Sequence, residues 1–322
     1  FISLYNLNKK RNLMETVVIT GGSGLIGNHL AKFLVEEDYN VILLSRTPDK
    51  NKGSTNIRFA GWNPSTGEID KKAIEEADYI VHLAGENIGA KSWTASRKKE
   101  IENSRIQSSA LLCKSLREIP NNVKAVISAS GINYYGGDYD NRMTFDETAP
   151  KGKGFLADVC QKWEESIKPV ADMGKRLAIM RTGVVMSPKE GALKEFLKPL
   201  SFRIAPILGS GKQRMSWLHL DDITRAYLHA IKNDSVEGIY NITAPHAISY
   251  HQAVIKIAKT KYRTIFIPLK IPAFVLKMMK GEMAEETVLT GITTNSAKFT
   301  NTGFQFLFPI FNRDCIKDLL GK

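Results

Sequence analysis

The sequence predicts an α/β protein with a Rossmann-like, doubly wound parallel sheet and a smaller C-terminal substrate-side region. Short β-branched runs alternate with helical patterns from residue 16 to about residue 186, and this alternation is typical of parallel βαβ units. A glycine-rich turn separates the first such run from the first helix. The chain has 322 residues, of which 43% are hydrophobic, so it is long enough to bury a large core.

The strands predicted in the first part are apolar on both faces, as buried parallel strands are. They cover residues 17–19, 40–45, 57–62, 79–84, 123–128 and 177–186. A helix follows the first strand, where Ile26, Leu30 and Leu34 share one face. A short helix is predicted over residues 73–77. A long polar helix is predicted over residues 95–118 and ends before Pro120, because proline cannot continue a helix.

The pattern changes after Met186, since residues 187–217 are rich in Gly, Pro and Lys and carry few regular signals. Farther on, the sequence predicts a helix over residues 221–232, a strand over 238–243, a helix from Ser249 as its cap to residue 259, a strand over 265–268 and a helix after Pro272. We therefore assign residues 14–186 to the Rossmann domain. Residues 187–322 form mostly the substrate-side region, with elements near 219–245 returning to the main sheet.

Residues 1–13 are rich in Asn and Lys and contain no apolar stretch of signal-peptide type. We predict that they form a disordered extension outside the fold, and Met14 is a candidate for the natural start. A targeting segment is the alternative interpretation of these residues.

Composition narrows the classes of partner. The net charge is +12, but no basic patch is interleaved with aromatic residues, so we expect no nucleic-acid partner and a basic surface that favours an anionic cofactor. The three cysteines are widely spaced, which predicts neither a disulfide framework nor a metal site and fits a reducing, cytoplasmic setting. No apolar run approaches the roughly 18 residues that a membrane span needs. The oligomeric state is left open.

The glycine turn is the most informative motif. Gly21, Gly24 and Gly27 follow a β-branched strand and precede an amphipathic helix. Gly21 permits the tight turn, Gly24 lets the backbone approach a pyrophosphate, and Gly27 lets the helix pack closely on the strand. The phosphates would lie on the free amides at the helix start, which include those of Leu25 and Ile26. The alternative is an ordinary glycine loop.

The residues after the second strand bear on the choice of dinucleotide. An acidic side chain there accepts hydrogen bonds from a ribose 2′-hydroxyl, whereas an arginine accommodates a 2′-phosphate. This strand ends in Ser45 and Arg46, with no Asp or Glu. Arg46 can pair with the phosphate and stack on adenine, and Ser45 can donate a hydrogen bond. The sequence therefore favours NADP over NAD, against the alternative that Arg46 is a plain surface residue near a turn.

These glycines, the Ser45-Arg46 pair and the segment His82-Leu83-Ala84-Gly85-Glu86-Asn87-Ile88 resemble the atypical, epimerase-like branch of the extended short-chain dehydrogenases/reductases, of the nucleoside-diphosphate-sugar epimerase type. The resemblance covers nearly the whole chain from Val17. It continues through Trp93, Ser104-Arg105-Ile106, Trp163-Glu164, Arg181-Thr182-Gly183, Ser216 to Asp222, Gly281 to Ala284 and Gly303 to Phe306. It implies a Rossmann-type fold, NADP binding, and epimerase or oxidoreductase activity with no substrate specified. It also implies cofactor contacts at Leu83, Ala84, Gly85 and Glu86.

The usual catalytic motif of the superfamily is absent. In that motif a tyrosine acts as acid/base, a lysine four residues later lowers its pKa, and a serine holds the substrate oxygen. Ser130 stands where the serine is expected, and Lys162 can represent the lysine, but Asp158 stands four residues before it. Shifting the register places Leu156 or Ala157 there instead.

Other residues can take over the proton transfer. Tyr134 or Tyr135 either points into the cleft or packs the loop, and Asp158 is either a base or a solvated residue at a helix start. Glu86 can lie near the ribose or the substrate, either as a cofactor contact or as a catalytic base. A carboxylate near neutral pH needs burial to act as an acid. The candidate catalytic residues are therefore Ser130, Tyr134, Tyr135, Asp158 and Lys162.

Two further motifs have competing interpretations. The sequence His219-Leu220-Asp221-Asp222 suggests a metal site or a triad, but no GxSxG elbow surrounds Ser130, and we expect Asp221 or Asp222 to cap a helix. The loop from Gly209 to Arg214 either holds an anionic substrate through Lys212 and Arg214 or is a surface turn. No metal is predicted.

We therefore expect an NADP-dependent oxidoreductase or epimerase that acts on a small carbonyl or hydroxyl compound, a sugar nucleotide among the possibilities. The missing tyrosine–lysine pair supports a different class of function as the alternative, a non-catalytic NADP(H)-binding sensor or interaction module.

Overall fold

The computed structural model describes residues 14–50, 53–262 and 265–322. The disordered extension expected over residues 1–13 therefore lies outside the described residues. Within them, no helix is both long enough and apolar enough to span a membrane.

Fourteen strands occur in the described residues. They are β1 (Thr16–Thr20), β2 (Asn40–Ser45), β3 (Ile57–Asn63), β4 (Glu68–Ile69), β5 (Tyr79–His82), β6 (Ala125–Gly131), β7 (Arg176–Thr182), β8 (Val184–Met186), β9 (Ile204–Leu208), β10 (Arg214–Met215), β11 (Trp217–His219), β12 (Gly238–Ile242), β13 (Ile248–Ser249) and β14 (Ile267–Ile271).

Twelve α-helices connect these strands in the described part of the chain. They are α1 (Leu25–Glu36), α2 (Lys71–Glu75), α3 (Ala95–Glu118), α4 (Phe155–Ile167), α5 (Pro169–Asp172), α6 (Ala192–Leu200), α7 (Leu220–Lys232), α8 (Tyr250–Tyr262), α9 (Ala273–Lys280), α10 (Glu282–Thr287), α11 (Ala297–Thr300) and α12 (Arg313–Leu319). Pro48–Lys50 and Ile132–Tyr135 form 3₁₀ turns.

The main sheet has eight strands in the order β12-β7-β6-β5-β1-β2-β3-β4. All neighbouring pairs are parallel except β3 with β4, which form an antiparallel hairpin. The strand order reverses between β1 and β5, so the crevice at their carboxyl ends is the topological switch point, where such sheets bind ligands. The doubly wound α/β fold predicted from the sequence is confirmed.

Both faces of the sheet are covered, which explains why its strands are apolar on both sides. Val17 and Ile19 of β1 pack with Leu30 and Leu34 of α1 and with the apolar side of α7. Val18, between them in the sequence, belongs to the opposite layer with α2, α3 and α5. The alternation follows from the two-residue period of a strand.

A separate core lies in the C-terminal part. It joins α6, β9, α8 and α12 around Trp217, whose ring meets Phe311 edge to face with centroids 4.8 Å apart. Three two-stranded ladders, β8–β11, β9–β14 and β10–β13, surround it. The strand β12 belongs to the main sheet, where it pairs with β7 from Gly238 to Ile242. The helix α7 packs on the core of that sheet.

Two of the differences between the structure and the predicted elements lie at the end of β7 and in the residues that follow it. The strand expected over residues 177–186 is divided at Gly183 into β7 and β8, and β8 leaves the main sheet to pair with β11. A Cβ at Gly183 would approach the Ser216 carbonyl to 2.4 Å, so this crossing requires glycine. Residues 187–217, where few regular signals were found, contain α6 and β9. Pro199 lies inside α6 and Pro206 inside β9. Because proline is unfavourable inside helices and strands, the sequence did not indicate these elements.

Candidate functional site

The glycine turn after β1 is closely packed against the backbone around it. Gly21 has φ of +69°, and a Cβ there would lie 2.9 Å from the carbonyl of Leu83. A Cβ at Gly27 would lie 2.5 Å from the Gly21 oxygen. At Gly24 the nearest neighbour is the same oxygen at 3.3 Å, so the chain itself crowds Gly24 least. Gly21 and Gly27 are thus required by the turn, whereas Gly24 leaves its outer side accessible to a ligand.

The first amides of α1 are available to an anion. No side chain caps this helix, and the N–H groups of Leu25 and Ile26 have no acceptor among the described residues. A cavity of about 280 Å³ opens at this end of α1. Its lining includes Ser23, Gly24, Leu25, Met186, Ser187 and Lys189. Exposed amides at the positive end of the helix dipole make this a place where phosphate binds well.

A buried polar chain fixes the switch point. The Thr20 hydroxyl accepts from the amides of Leu83 and Ala84 at 3.0 and 3.1 Å, so its hydrogen goes to Nδ1 of His82 at 2.8 Å. The proton of the imidazole is then on Nε2, which donates to Ser109 Oγ at 3.1 Å. Burial lowers the pKa of His82 to about 3, so this histidine is neutral at physiological pH. The chain ties β1, β5 and α3 together.

Glu86 is held by α3. Its carboxylate accepts from Arg97 Nη1 at 3.1 Å, and its amide donates to Ser104 Oγ at 3.0 Å. Arg97 is buried, donates through Nη2 to the carbonyl of Asn87 and also pairs with Glu100. The pairing positions Glu86 as an anchor of the loop after β5, beside Gly85.

Arg46 follows β2 at the same edge of the sheet. It is exposed, and its guanidinium has no acceptor among the described residues. The Ser45 hydroxyl accepts from the amide of Thr47 at 3.1 Å. The arginine is thus available to an anion brought to this edge, as its position in the sequence suggests.

The Ser130 side chain is hydrogen-bonded to a buried ion pair. Its hydroxyl donates to Glu164 Oε1 at 2.7 Å. The same carboxylate accepts from Nε and Nη2 of Arg181, both at 2.8 Å. Burial alone would lower the pKa of Arg181, but its hydrogen bonds to Glu164 outweigh that and raise it. The Ser130 hydroxyl is therefore committed to a protein carboxylate.

The two tyrosines after β6 have different surroundings. The Tyr135 hydroxyl accepts from Arg181 Nη1 at 3.0 Å and donates to Asn241 Oδ1 at 2.7 Å, and burial raises its pKa. Tyr134 is half-buried, and its ring lies 3.4 Å from the Arg181 guanidinium carbon. Tyr135 is part of the network, whereas Tyr134 is the tyrosine that keeps contact with solvent.

Asp158 and Lys162 lie on the outer face of α4. Lys162 donates to Glu102 of α3 at 2.8 Å, and Asp158 pairs with Lys151. The positions one turn apart that face the core are Leu156 and Cys160. Burial raises the pKa of Cys160 to about 11. The inner face of α4 thus offers, at these two positions, no group that titrates near neutral pH.

Sequence reasoning did not assign roles to Glu164 and Arg181 beyond a family resemblance. A usable signal existed. Glu164 shares a helical face with Cys160 and Ile167, and Arg181 ends the apolar run Ala-Ile-Met of β7. Two opposite charges at such buried positions are expected to pair.

His219, Asp221 and Asp318 bring three possible metal ligands within 4.8 Å of one another. The expected cap by Asp221 or Asp222 was wrong, because His219 caps α7 by accepting from the Asp221 amide through Nδ1. Nε2 must then carry the proton, and it faces Asp318 at 3.2 Å. A protonated nitrogen cannot ligate a metal, so the geometry favours a contact between a neutral imidazole and the Asp318 carboxylate. Asp222 instead accepts from the amides of Leu307 and Phe308.

The loop from Gly209 to Arg214 is a turn between β9 and β10. Gly209 and Gly211 have positive φ, and buried Gln213 donates to the carbonyls of Leu208 and Val288. Lys212 is exposed. Arg214 donates to the carbonyl of Ala247.

The family model for the NAD dependent epimerase/dehydratase family matches residues 17–243. The chain belongs to this family. The epimerase-like resemblance noted in the sequence is thereby confirmed. A second model, for the domain of unknown function DUF1731, matches residues 271–312, which contain α9, α10 and α11.

Relatives of this epimerase family member are similar along almost the whole chain. The epimerase family protein ML0860 of Mycobacterium leprae is 35% identical over 90% of this chain and 91% of its own length. The solved structure of the human epimerase family protein SDR39U1 with NADPH has a TM-score of 0.82 at 27% identity, over 95% of this chain and 99% of that one. A nucleoside-diphosphate sugar epimerase of Corynebacterium glutamicum has a TM-score of 0.74 at 30% identity and covers 96% of this chain and 58% of that one. Family and fold together support a nicotinamide-dinucleotide protein of epimerase or oxidoreductase type.

Proposed function

We propose that this family member binds NADP(H) at the switch point and is an oxidoreductase or epimerase of a small carbonyl or hydroxyl compound. The observation that carries the proposal is the glycine turn with accessible amides at Leu25 and Ile26, with Arg46 at the same edge of the sheet. A Cβ at Gly21 would collide with the backbone of Leu83 after β5, and a Cβ at Gly27 would collide with the turn itself. The residues therefore fit a dinucleotide: Gly24 and the helix start would hold its pyrophosphate, and Arg46 its 2′-phosphate.

The choice of NADP has two supports. Arg46 occupies the position that faces the ribose in Rossmann folds, and no carboxylate of the described residues pairs with it. The similar human protein SDR39U1 was solved with NADPH.

The proposed chemistry divides between the cofactor and the protein. The nicotinamide ring, when bound, accepts or gives up a hydride. Among the candidates, Tyr134 is best placed to move a proton, because it is half-buried and keeps contact with solvent. Ser130 can orient a substrate oxygen only by sharing its hydroxyl with Glu164. We assign Asp158 and Lys162 no role in the reaction, since both lie in exposed ion pairs.

A second candidate function is binding of NADP(H) without turnover, as a redox sensor or interaction module. The inner face of α4 favours it, because Leu156 and Cys160 stand one turn apart and cannot form a tyrosine–lysine pair. The bond between Ser130 and Glu164 favours it too, since a hydroxyl bonded to a protein carboxylate is less available to a substrate.

The two candidates are separated by measuring binding and turnover in the same preparation. NADPH binding is followed by its fluorescence, and turnover by its absorbance with a panel of carbonyl compounds and sugar nucleotides. Turnover that Ser130→Ala or Tyr134→Phe lowers by about a hundredfold, with the NADPH dissociation constant unchanged, supports an enzyme.

Ser115→Ala is the matched control. It removes another buried hydroxyl, which bonds only to the Leu111 carbonyl within α3, and we expect unchanged turnover. Tight NADPH binding with no turnover across the panel supports the second candidate. Folded protein that binds no NADPH excludes both candidate functions.

A further inference from the structure

Arg105 lies at the switch-point edge with one side of its guanidinium unused. It comes from α3, is half-buried, and donates through Nη1 to the carbonyl of Ile101 at 2.9 Å. Its guanidinium carbon lies 4.9 Å from the ring of Trp163 on α4. The arginine is therefore held in place by its own helix and by an aromatic side chain, without a charged partner.

Gly85 makes room for this guanidinium. A Cβ on Gly85 would lie 3.0 Å from Cζ and 3.2 Å from both Nε and Nη2. Nearly equal distances to these three atoms mean that the glycine faces the flat side of the group. A Cβ at this position would press on the guanidinium and require it to shift by a few tenths of an ångström.

The charge of Arg105 has no direct ion pair among the described residues, unlike that of its buried neighbours, and only the longer-range field of Glu86 favours it. Arg97 pairs with Glu86 and Glu100, and Arg181 pairs with Glu164. No carboxylate of the described residues lies within ion-pair distance of Arg105. Burial lowers the pKa of this arginine, which reflects the cost of keeping a cation out of water. An incoming anion would offset that cost.

Geometry and charge together favour one kind of anion. Nη1 uses one of its N–H groups for Ile101, while Nε–H and the neighbouring N–H of Nη2 have no acceptor among the described residues. These two N–H groups are parallel and match two oxygens of a carboxylate or a phosphate. The single positive charge of Arg105 balances the single charge of a carboxylate, whereas a phosphate monoester carries about −1.5 to −2 near pH 7.

We propose that Arg105 is a substrate-binding residue that holds a carboxylate of the substrate through Nε and Nη2. This inference rests on the proposed function, and it narrows the substrate to a carbonyl or hydroxyl compound that carries a carboxylate. Gly85 is part of the same subsite, because a Cβ there would press on the flat side of the guanidinium.

The test uses the full chain with bound NADPH and acetate as the probe, at constant ionic strength. We expect acetate to change the fluorescence of bound NADPH in a saturable way. Acetamide, which has the same shape without the charge, has no effect at equal concentration. Arg105→Gln raises the acetate dissociation constant at least tenfold and leaves that for NADPH within twofold. Arg105→Lys keeps the positive charge but lacks the two parallel N–H groups, so we expect an intermediate dissociation constant for acetate.

The matched control is Arg117→Gln, which removes a charge from an exposed position in the last turn of the same helix. We expect it to bind acetate as the unchanged protein does. Three results would overturn the inference: equal acetate binding after Arg105→Gln, acetamide binding equal to acetate, or a loss of NADPH affinity in Arg105→Gln. Inorganic phosphate that binds where acetate does not would also contradict it.

A second readout separates this inference from the proposed function. The Nε–H resonance of Arg105 in ¹⁵N-labelled protein reports acetate binding without any nucleotide. If the protein binds no NADPH, the proposed function fails, and a shift of this resonance with acetate but not acetamide still supports the carboxylate site. If acetate shifts this resonance neither with nor without NADPH, the carboxylate site is rejected. Should Arg105→Gln not fold, Arg105→Lys and this resonance provide the same decision.

Discussion

Glu164 and Arg181 form a bidentate ion pair in the interior, with side-chain exposures of 4% and 2%. The pair joins α4 to β7, and each partner holds one of the groups expected to be catalytic. Glu164 binds the hydroxyl of Ser130, and Arg181 binds that of Tyr135. In this protein the carboxyl ends of β6 and β7 are therefore occupied by a structural network of buried charges.

Removing one charge of this pair should destabilise the fold strongly. Glu164→Gln keeps the shape of the side chain but leaves Arg181 buried without a counter-ion. Breaking a buried pair in this way costs about 3–5 kcal/mol. We expect the free energy of unfolding, measured with urea, to fall by that amount.

The double variant Glu164→Leu with Arg181→Met provides the control for this prediction. It removes both charges and should recover most of the loss, because hydrophobic replacement of a buried pair is often nearly neutral. A double variant no more stable than Glu164→Gln, or a single variant within about 1 kcal/mol of the unchanged protein, would show that the pair is not held as a buried charge pair.

His82 should make the protein less stable in acid. Burial lowers its pKa from 6.5 to about 3 in the folded state. Between these values the unfolded chain binds a proton that the native state does not bind. The contribution of the neutral His82 to the free energy of unfolding is complete above pH 6.5 and is lost as the pH falls toward 3. At pH 5 the loss amounts to about 2 kcal/mol relative to pH 7.5.

Urea unfolding at pH 7.5 and pH 5 measures this effect, with His82→Gln as the comparison. The variant retains an amide that can bond to Ser109 but does not titrate, so its stability should fall by about 2 kcal/mol less between the two values. Equal losses in both proteins would contradict the prediction. The imidazole signals of His82 in NMR spectra give an independent check, since they should not titrate above pH 5.

The turn after β1 should be far less tolerant of alanine than an open turn of the same conformation. Gly21 and Gly67 both have positive φ, +69° and +75°, so alanine is strained equally at both. Only Gly21 has neighbours, with a Cβ 2.9 Å from the Leu83 carbonyl, whereas Gly67 has none within 4 Å. Gly67→Ala should cost about 1 kcal/mol from the backbone alone.

Gly21→Ala adds the steric clash to that penalty, which costs a further 1–3 kcal/mol or so by analogy with overpacked cores. It should also abolish NADPH binding, because the turn must move away from β5. Unfolding in urea and NADPH fluorescence give the two measurements. Equal costs at the two glycines would mean that the turn yields without loss.

Local sequence signals were sufficient for the fold and for the glycine turn. The steric demand at Gly27 comes from the turn itself and that at Gly21 comes from Leu83 after β5, but the glycine spacing after a strand indicates both positions. The alternation of strand and helix gave the sheet, because each βαβ unit is patterned within its own stretch of chain. The helix α3 was predicted with the bounds that the structure has, Ala95–Glu118.

The region of the candidate catalytic residues was less predictable because it depends on pairing between distant residues. A motif search centred on Lys162 directs attention to Asp158, four residues earlier, yet both lie on the outer face of α4. The inner face depends on Glu164, whose burial is possible only because Arg181 arrives beside it on β7. Likewise, Pro206 suggests a loop, but it lies in β9, which pairs with β14 more than sixty residues away. Pro206 stands opposite Leu269 in that pairing.

The identity of the nucleotide should depend on Arg46. If this exposed guanidinium binds the 2′-phosphate of NADPH, Arg46→Ala removes charge-assisted hydrogen bonds worth about 1.5–3 kcal/mol, and the dissociation constant for NADPH rises about ten- to hundredfold. That for NADH, which has no 2′-phosphate, changes less than about twofold. Fluorescence titration with both nucleotides measures this. Arg117→Ala, at the opposite end of α3 from the switch point, controls for loss of a positive charge and should alter neither constant. Equal weakening of NADPH and NADH by Arg46→Ala would assign the arginine to adenine stacking or to the fold, and the preference for NADP would then need another cause.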